Sequence, residues 1–181
     1  MADPAAAPGG VVDDSQLILA AQRGDRAAFG ELYLKYSRMV HGILLARVPP
    51  PEVDDLVHDV FIQAWRRIST LRDTQAFPAW LAMIARNRAN DFYRSRGQVA
   101  EMLPPHLEGG ARPGQDGRYI LAAIQSLPEA YRETLILRLV EQMPGVEIAA
   151  RTGLTHESVR VNLHRGMKLL REKLAPLENR R

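Results

Sequence analysis

The chain has 181 residues, 46% of them apolar, and a formal net charge of +3. That size holds one or two domains with packed cores. The mild basicity permits a polyanionic partner without requiring one. No cysteine is present, which excludes a disulfide framework and a thiolate zinc centre. The nearest pair of histidines, His156 and His164, is eight residues apart rather than at the i, i+4 spacing of a zinc helix, so no metal site and no cofactor are expected. No run approaches the roughly 18 apolar residues that span a bilayer. The opening MADPAAAPGGVV carries no Lys or Arg and does not read as a signal peptide. Its Pro, Gly and Ala predict a disordered tail over 1–12, and a soluble cytoplasmic protein is expected.

An all-α fold follows from the spacing of apolar residues. Asp13, Asp14 and Ser15 suit the cap of a short first helix that Gly24 ends. Asp25 suits the cap of a longer one, with Phe29, Leu32, Tyr33, Tyr36, Val40, Ile43 and Leu44 at helical spacing up to the stop at Pro49-Pro50-Pro51. A third helix over about 52–68 repeats apolar pairs every four residues. It opens with Glu52, Asp54, Asp55 and Asp59 and has no Lys or Arg before Arg66. Acids there complement the helix dipole, and they also suit a basic protein partner. The segment STLRDTQAF reads as a loop, and a fourth helix runs over about 78–96.

In the fourth helix Phe77, Trp80, Leu81, Ile84 and Phe92 share a face, with Phe77 and Trp80 assigned to the core. Asn87, Asp91 and Arg94 border that face; Arg86, Asn90 and Tyr93 lie further out. Asp91 and Arg94 are expected to pair along the helix. Arginine and asparagine interleaved with aromatics beside a polar loop suit nucleic acid. Phosphates take Arg, and an unstacked base takes an amide edge and an apolar wall.

Composition then changes. Five Gly and three Pro fall within 97–117 without periodicity, which predicts a flexible linker between a domain over 13–96 and another over 118–181. The second domain reads as four helices, near 118–126, 128–142, 144–152 and 156–174. Pro128 and Pro144 sit at first-turn positions. Ala149, Gly153 and Val159, at i, i+4 and i+10, give the small contact, tight turn and buried anchor of a helix-turn-helix, with Thr155 capping the second helix. On that helix Val159, Leu163, Met167, Leu170 and Leu174 share one sector. Arg160, Val161, His164, Arg165 and Lys168 lie opposite. From Arg151 to Arg181 eight Lys/Arg stand against three Asp/Glu, so this end carries the net positive charge. A basic face can simply keep a helix solvated, but Val161 gains nothing from solvent there, and in a major groove it meets a thymine methyl. The residues alone leave open a two-domain helix-turn-helix regulator and a helical RNA-binding factor. They show no pocket motif, metal set or nucleophile elbow of an enzyme.

The order of these segments resembles one family. LILAAQRGDRAAFGELYLKYSRMVHGILL, DDLVHDVFIQAWRRI, FPAWLAMIARNRANDFYRSR and LPEAYRETLILRLVEQMPGVEIAARTGLTHESVRVNLHRGMKLLREKL resemble, in turn, the start of region 2, the clamp-binding helix, the −10 reader and region 4 of bacterial sigma-70 factors of the small extracytoplasmic-function type. The resemblance covers about 15–174. It implies a non-catalytic subunit that binds core RNA polymerase and directs initiation at promoter DNA. By position, Asp54, Asp55, His58, Asp59 and Gln63 would dock on the polymerase β′ clamp helices, with the β flap as a further contact. The loop Arg72, Asp73, Thr74, Gln75 and Ala76, with Asn87, would hold a flipped −10 base, while Arg88, Arg94 and Arg96 meet phosphates. Arg160, Val161, His164 and Arg165 would read the −35 element, with Lys168 on its backbone. The family also implies an anti-sigma partner. His58 stands where the family usually has Gln, and Val161 and Asn162 where Ser and Arg are common.

Overall fold

The computed structural model describes residues 14–95 and 116–178. The expected tail over 1–12, nearly all of the expected linker, and Arg96 lie outside the described residues. Eight α-helices and three single 3₁₀ turns make up the described chain, with no strand among the described residues.

Four helices form the first unit: α1 (Ser15–Gln22), α2 (Arg26–Leu45), α3 (Val53–Arg67) and α4 (Phe77–Ser95). Asp25 caps α2 as its sequence position suggests, accepting from the backbone N–H groups of Ala27 at 2.9 Å and Ala28 at 3.1 Å. Asp14 does something else. Its side chain makes no cap bond at α1. It is buried, and its carboxylate accepts from Lys35 Nζ at 2.5 Å and from the Tyr36 hydroxyl at 2.6 Å. Burial first, then that bond to Asp14, pushes the Tyr36 phenol well above its usual range. The fully buried Leu32, Met39, Val40, Ile43 and Leu44 make α2 the spine on which α1, α3 and α4 pack. Phe29, Tyr33, Phe61 and Trp65 add an aromatic cluster, with Tyr33–Phe61 centroids 4.5 Å and Phe29–Trp65 centroids 4.9 Å apart.

The second unit comprises α5 (Asp116–Gln125), α6 (Glu129–Leu139), α7 (Gly145–Thr152) and α8 (His156–Glu178). Its buried residues include Ile124, Leu135, Ile136, Leu137, Ile148, Val159 and Leu170. Helix α6 stops three residues short of the expected Gln142. Gln142 adopts φ 56° and Pro144 follows, so the chain turns away before the proline ring meets a helical carbonyl. Pro128 and Pro144 occupy the N-cap positions of α6 and α7, one residue earlier than expected.

The sequence leaves open whether the two units pack together, and they do. One contiguous buried cluster runs from Ile18 to Leu170. Helix α2 crosses α6 at Gly42, where an added Cβ would fall 2.7 Å from Leu137 Cδ2 and 2.9 Å from Glu141 Cγ. Gln125 Nε2 donates to Leu45 O at 2.8 Å. Arg151 of α7 lies over the Tyr36 ring, 5.0 Å from its centroid, and donates to Lys35 O at 2.9 Å. At the far end the helix-turn-helix glycine, Gly153, abuts Ala79 of α4.

Two acids of the second unit anchor this seam. Glu133, 6% exposed, lies between two arginines of the first unit, 2.6 Å from Arg47 Nη1 and 2.6 Å from Arg86 Nη2. Arg86 also donates to Thr152 O at 3.0 Å, so it belongs to the seam and not to an outer face of α4 as the helix wheel suggests. Burial alone would raise the Glu133 carboxyl, but the two guanidiniums outweigh it and hold the group below its usual range. Glu141 Oε1 lies 2.6 Å from His41 Nδ1, and Arg38 reaches the same residue. The bond to Glu141 outweighs burial and raises the His41 imidazole above its ordinary value.

Candidate nucleic-acid interface

Helix α3 turns Leu56, Val57, Val60, Phe61 and Ala64 into the core, which leaves Asp54, Asp55 and His58 exposed on the opposite side. The imidazole of His58 folds back so that Nδ1 lies 2.9 Å from Asp54 O. Asp59 and Gln63 are half-buried along the border with α4. There Asp59 Oδ2 meets Arg88 Nη2 at 2.5 Å. The expected polymerase-facing acid and the expected phosphate-facing arginine are therefore partners. An open groove between the two helices is lined by these two with Ile62, Gln63, Arg66, Arg67 and Asp91. Arg66 and Arg67 were not among the expected contacts. Two cations in a helix's last turn match its dipole, so their sequence carries no separate signal.

The loop entering α4 is tied to α1. Gln22 Nε2 donates to Ile68 O at 3.0 Å and Leu71 O at 2.7 Å. The Ser15 and Thr74 hydroxyls lie 2.8 Å apart, Gln75 Nε2 donates to Ser15 Oγ at 3.1 Å, and Asp73 accepts from Gln75 N at 2.9 Å. Arg72, Asp73 and Gln75 stay exposed; Thr74 is half-buried. Phe77 is fully buried against Tyr36, with centroids 5.4 Å apart, and Trp80 packs half-buried beside it, so both serve the core. Asn87 is exposed on α4, and Arg94 pairs with Asp91 at 3.2 Å. From Phe77 to Arg94 the helix rises roughly 25 Å. Loop, Asn87, Arg88 and Arg94 thus lie along a track of strand dimensions and do not converge on one pocket.

The helix-turn-helix is built as its residues suggest. Gly153 ends α7 in the left-handed region at φ 78°. Thr155 Oγ1 accepts from Ser158 N at 3.1 Å, and the two hydroxyls lie 2.8 Å apart. Val159 and Leu170 are buried, with Leu163, Met167 and Leu174 packed half-buried against the core. Close approach of α8 to α6 needs Gly166, where a Cβ would fall 2.9 Å from Leu135 Cδ1. The outward face then follows from the helical period. Arg160, His164, Arg165 and Lys168 are exposed, Val161 is half-exposed, and the first three with Val161 line one shallow depression. Among the described residues, Arg160, Arg165 and Lys168 have no carboxylate partner. Their charge is available, whereas that of Arg86, Arg88 and Arg94 is engaged.

No helix among the described residues is long and apolar enough to cross a membrane, and no group of three His, Asp or Glu among them is placed to hold a metal.

Comparison with known proteins gives these surfaces a context. Residues 32–99 match the family model for sigma-70 region 2, and residues 117–170 match that for sigma-70 region 4. The chain is 28% identical over 185 residues to the ECF RNA polymerase sigma-E factor of Escherichia coli K12, covering 92% of this chain and 97% of the relative. Its fold is similar to that of CnrH, solved in complex with the cytosolic domain of CnrY, with a TM-score of 0.65, 25% identity and coverage of 91% and 97%. It is also similar to the sigma factor RpoE of Bartonella quintana, solved with the anti-sigma factor NepR, with a TM-score of 0.55, 21% identity and coverage of 81% and 96%. Matched region by region and over nearly its whole length, the chain belongs to the sigma-70 family of RNA polymerase sigma factors, in its extracytoplasmic-function group, and directs transcription initiation at promoters.

Proposed function

We propose that the two units divide promoter recognition between them. The face Arg160, Val161, His164 and Arg165 reads the −35 element in the major groove, and Lys168 contacts its backbone. The loop Arg72, Asp73, Thr74 and Gln75 takes a flipped base of the melted −10 element, Asn87 meets the same strand further along α4, and Arg88 and Arg94 follow its phosphates. The exposed edge of Asp54, Asp55, His58, Asp59 and Gln63 docks on core RNA polymerase. The protein acts in the cytoplasm as a specificity subunit without catalytic activity of its own, and an anti-sigma protein is its natural antagonist. The observation that carries this reading is the unpaired basic face of α8 behind a glycine-turned helix-turn-helix.

Strand opening is then a matter of differential affinity. A protein that binds the melted strand better than the duplex shifts the melting equilibrium. Unstacking one base costs a few kcal/mol, and base stacking returns about 1–3 kcal/mol. One unit alone is marginal, so the −35 anchor and core polymerase supply the remainder through effective concentration. The test is reconstitution: purified protein with core polymerase should give specific initiation on a subset of genomic promoters. A protein that binds DNA but never redirects core polymerase is instead a plain helix-turn-helix regulator.

A further inference from the structure

The loop before α4 is braced from one side by α1. Ser15 and Gln22 stand seven residues apart, close to two full turns, so they project from the same face of α1 about 10 Å apart along its axis. Each meets a different end of the loop. Where α3 runs out, its last carbonyls lose their helical donors. There Gln22 Nε2 donates to Ile68 O at 3.0 Å and to Leu71 O at 2.7 Å, a use for both hydrogens of its amide. At the far end the Ser15 hydroxyl lies 2.8 Å from that of Thr74 and accepts from Gln75 Nε2 at 3.1 Å. Arg72 and Asp73 lie between the two ties and remain exposed. Helix α1 can serve as a brace because it is itself fixed. Ile18 and Ala21 are buried, and Asp14 is held by Lys35 and Tyr36 of α2.

We propose that Ser15 and Gln22 are positioning residues for −10 recognition, and that α1 sets the conformation of residues 71–75 before DNA arrives. The proposal rests on the reading above that this loop takes the flipped base. A polar loop that must be ordered on contact loses affinity to that ordering. It also loses selectivity, because a loop that can adapt accepts several bases where a fixed one offers a single set of hydrogen-bonding groups. The bonds within the loop are short-range. Asp73 accepts from Gln75 N at 2.9 Å, and single 3₁₀ bonds close Leu71 N on Ile68 O and Ala76 N on Asp73 O, each at 3.1 Å. Isolated turns of this kind have poor hydrogen-bond geometry and hold weakly. The ties from α1 span 46 to 60 residues of sequence, and they fix where those turns sit on the unit. Neither Ser15 nor Gln22 needs to touch DNA; their effect reaches the base through Arg72 and Asp73.

Hydrogen exchange on the full-length protein without DNA reads the brace itself. Gln22→Met keeps the length of the side chain and removes its donors; Ser15→Ala removes the hydroxyl. Each should speed exchange at the amides of Leu71, Gln75 and Ala76, by about fivefold for one hydrogen bond lost. Exchange in α2 should not change. Should Gln22→Met also release Ile18 and Ala21, Ser15→Ala, which favours helix, decides alone. In reconstituted holoenzyme, promoter opening is then compared across all bases at each −10 position. The preference for the best base over the others should fall about fivefold in each variant, while the affinity of the full-length protein for a −35 duplex stays the same. Ser15→Thr, which restores the hydroxyl, should return both readouts to native values. A merely structural role would lower opening on every −10 sequence alike and leave the preference intact, and that result overturns the proposal. Unchanged exchange at the three amides overturns it as well. Arg72→Ala and Asp73→Ala tell this failure from a failure of the underlying reading. If they too leave the preference unchanged, the loop is not the −10 reader and the proposal falls with that reading. If they abolish the preference while the α1 variants do not, only the brace is refuted.

Discussion

Arg88 of α4 and Asp59 of α3 hold each other at 2.5 Å, so the arginine proposed to meet a DNA phosphate is neutralised by an acid proposed to meet polymerase. Both are about half-exposed, which makes the pair weak in stability terms, commonly below about 1 kcal/mol. Its interest is that the two surfaces share it. If a cation on polymerase engages Asp59, Arg88 is released. The Asp59→Asn protein should therefore bind a single-stranded oligonucleotide more tightly without polymerase, by about twofold to fivefold, and bind core polymerase less tightly. Fluorescence anisotropy measures the first and competition with native protein the second. If neither changes, the pair is an incidental surface contact.

The face proposed to meet the −35 element should separate into reading and anchoring residues. Arg165→Ala should cost about 1–3 kcal/mol on one class of −35 sequence and little on others. Lys168→Ala should weaken all duplexes alike and reduce the slope of log affinity against log salt by about one. Titrations of the full-length protein at several salt concentrations distinguish them. Equal losses on specific and random DNA would remove Arg165 from base readout, and an unchanged slope would remove Lys168 from the backbone.

Removing Glu133 leaves Arg47 and Arg86 facing each other in a mostly buried site. Glu133→Ala should destabilise the protein by about 3–5 kcal/mol, the usual cost of stranding a buried charge. Urea denaturation followed by circular dichroism gives the value. A loss below about 1 kcal/mol would mean that the two arginines find other partners as the seam opens.

The pH dependence has two signs. The folded state raises His41, so its contribution is complete below the ordinary value of 6.5 and fades as pH rises through the raised value. The groups that face it are Glu141, with Arg38 on the same carboxylate and Asp54 acting at longer range. Glu133 is lowered, so its contribution is present above the ordinary 4.5 and is lost as pH falls through the lowered value. The seam should be most stable between about 4.5 and 6.5. Thermal unfolding across that range tests this, and in His41→Asn the alkaline side should flatten while the acid side stays.

Thr155→Ala removes the oxygen that accepts from Ser158 N at the start of α8. A loss of about 1 kcal/mol in unfolding free energy is expected. Thr155→Ser should recover most of it; failure to do so would point to packing by the threonine methyl.

Much of this architecture is legible in the sequence because the helical period is a local signal. Apolar spacing, Asp25, Gly153 and the prolines locate the helices, and the same arithmetic places Arg160, Val161, His164, Arg165 and Lys168 outward. The errors share a cause. Asp14 resembles a cap because an acid before a helix usually is one, yet its partners lie 21 and 22 residues away. Arg86 resembles a surface arginine because a helix wheel has no knowledge of a second domain, and Glu133 is 47 residues further on. Glu141 and His41 are 100 residues apart. Charge pairing across such separations leaves no periodic trace, so a buried glutamate and a solvated one look alike until the chain is folded.

Gly42 carries a genetic consequence. Every missense change of a glycine codon adds at least a Cβ, and there a Cβ meets Leu137 and Glu141. A substitution at this codon must displace the Leu137 or Glu141 side chain at the α2–α6 crossing, while the proposed reading faces lie elsewhere. Variation at codon 42 should therefore register first in the stability of the α2–α6 crossing, with the proposed DNA-reading faces left intact.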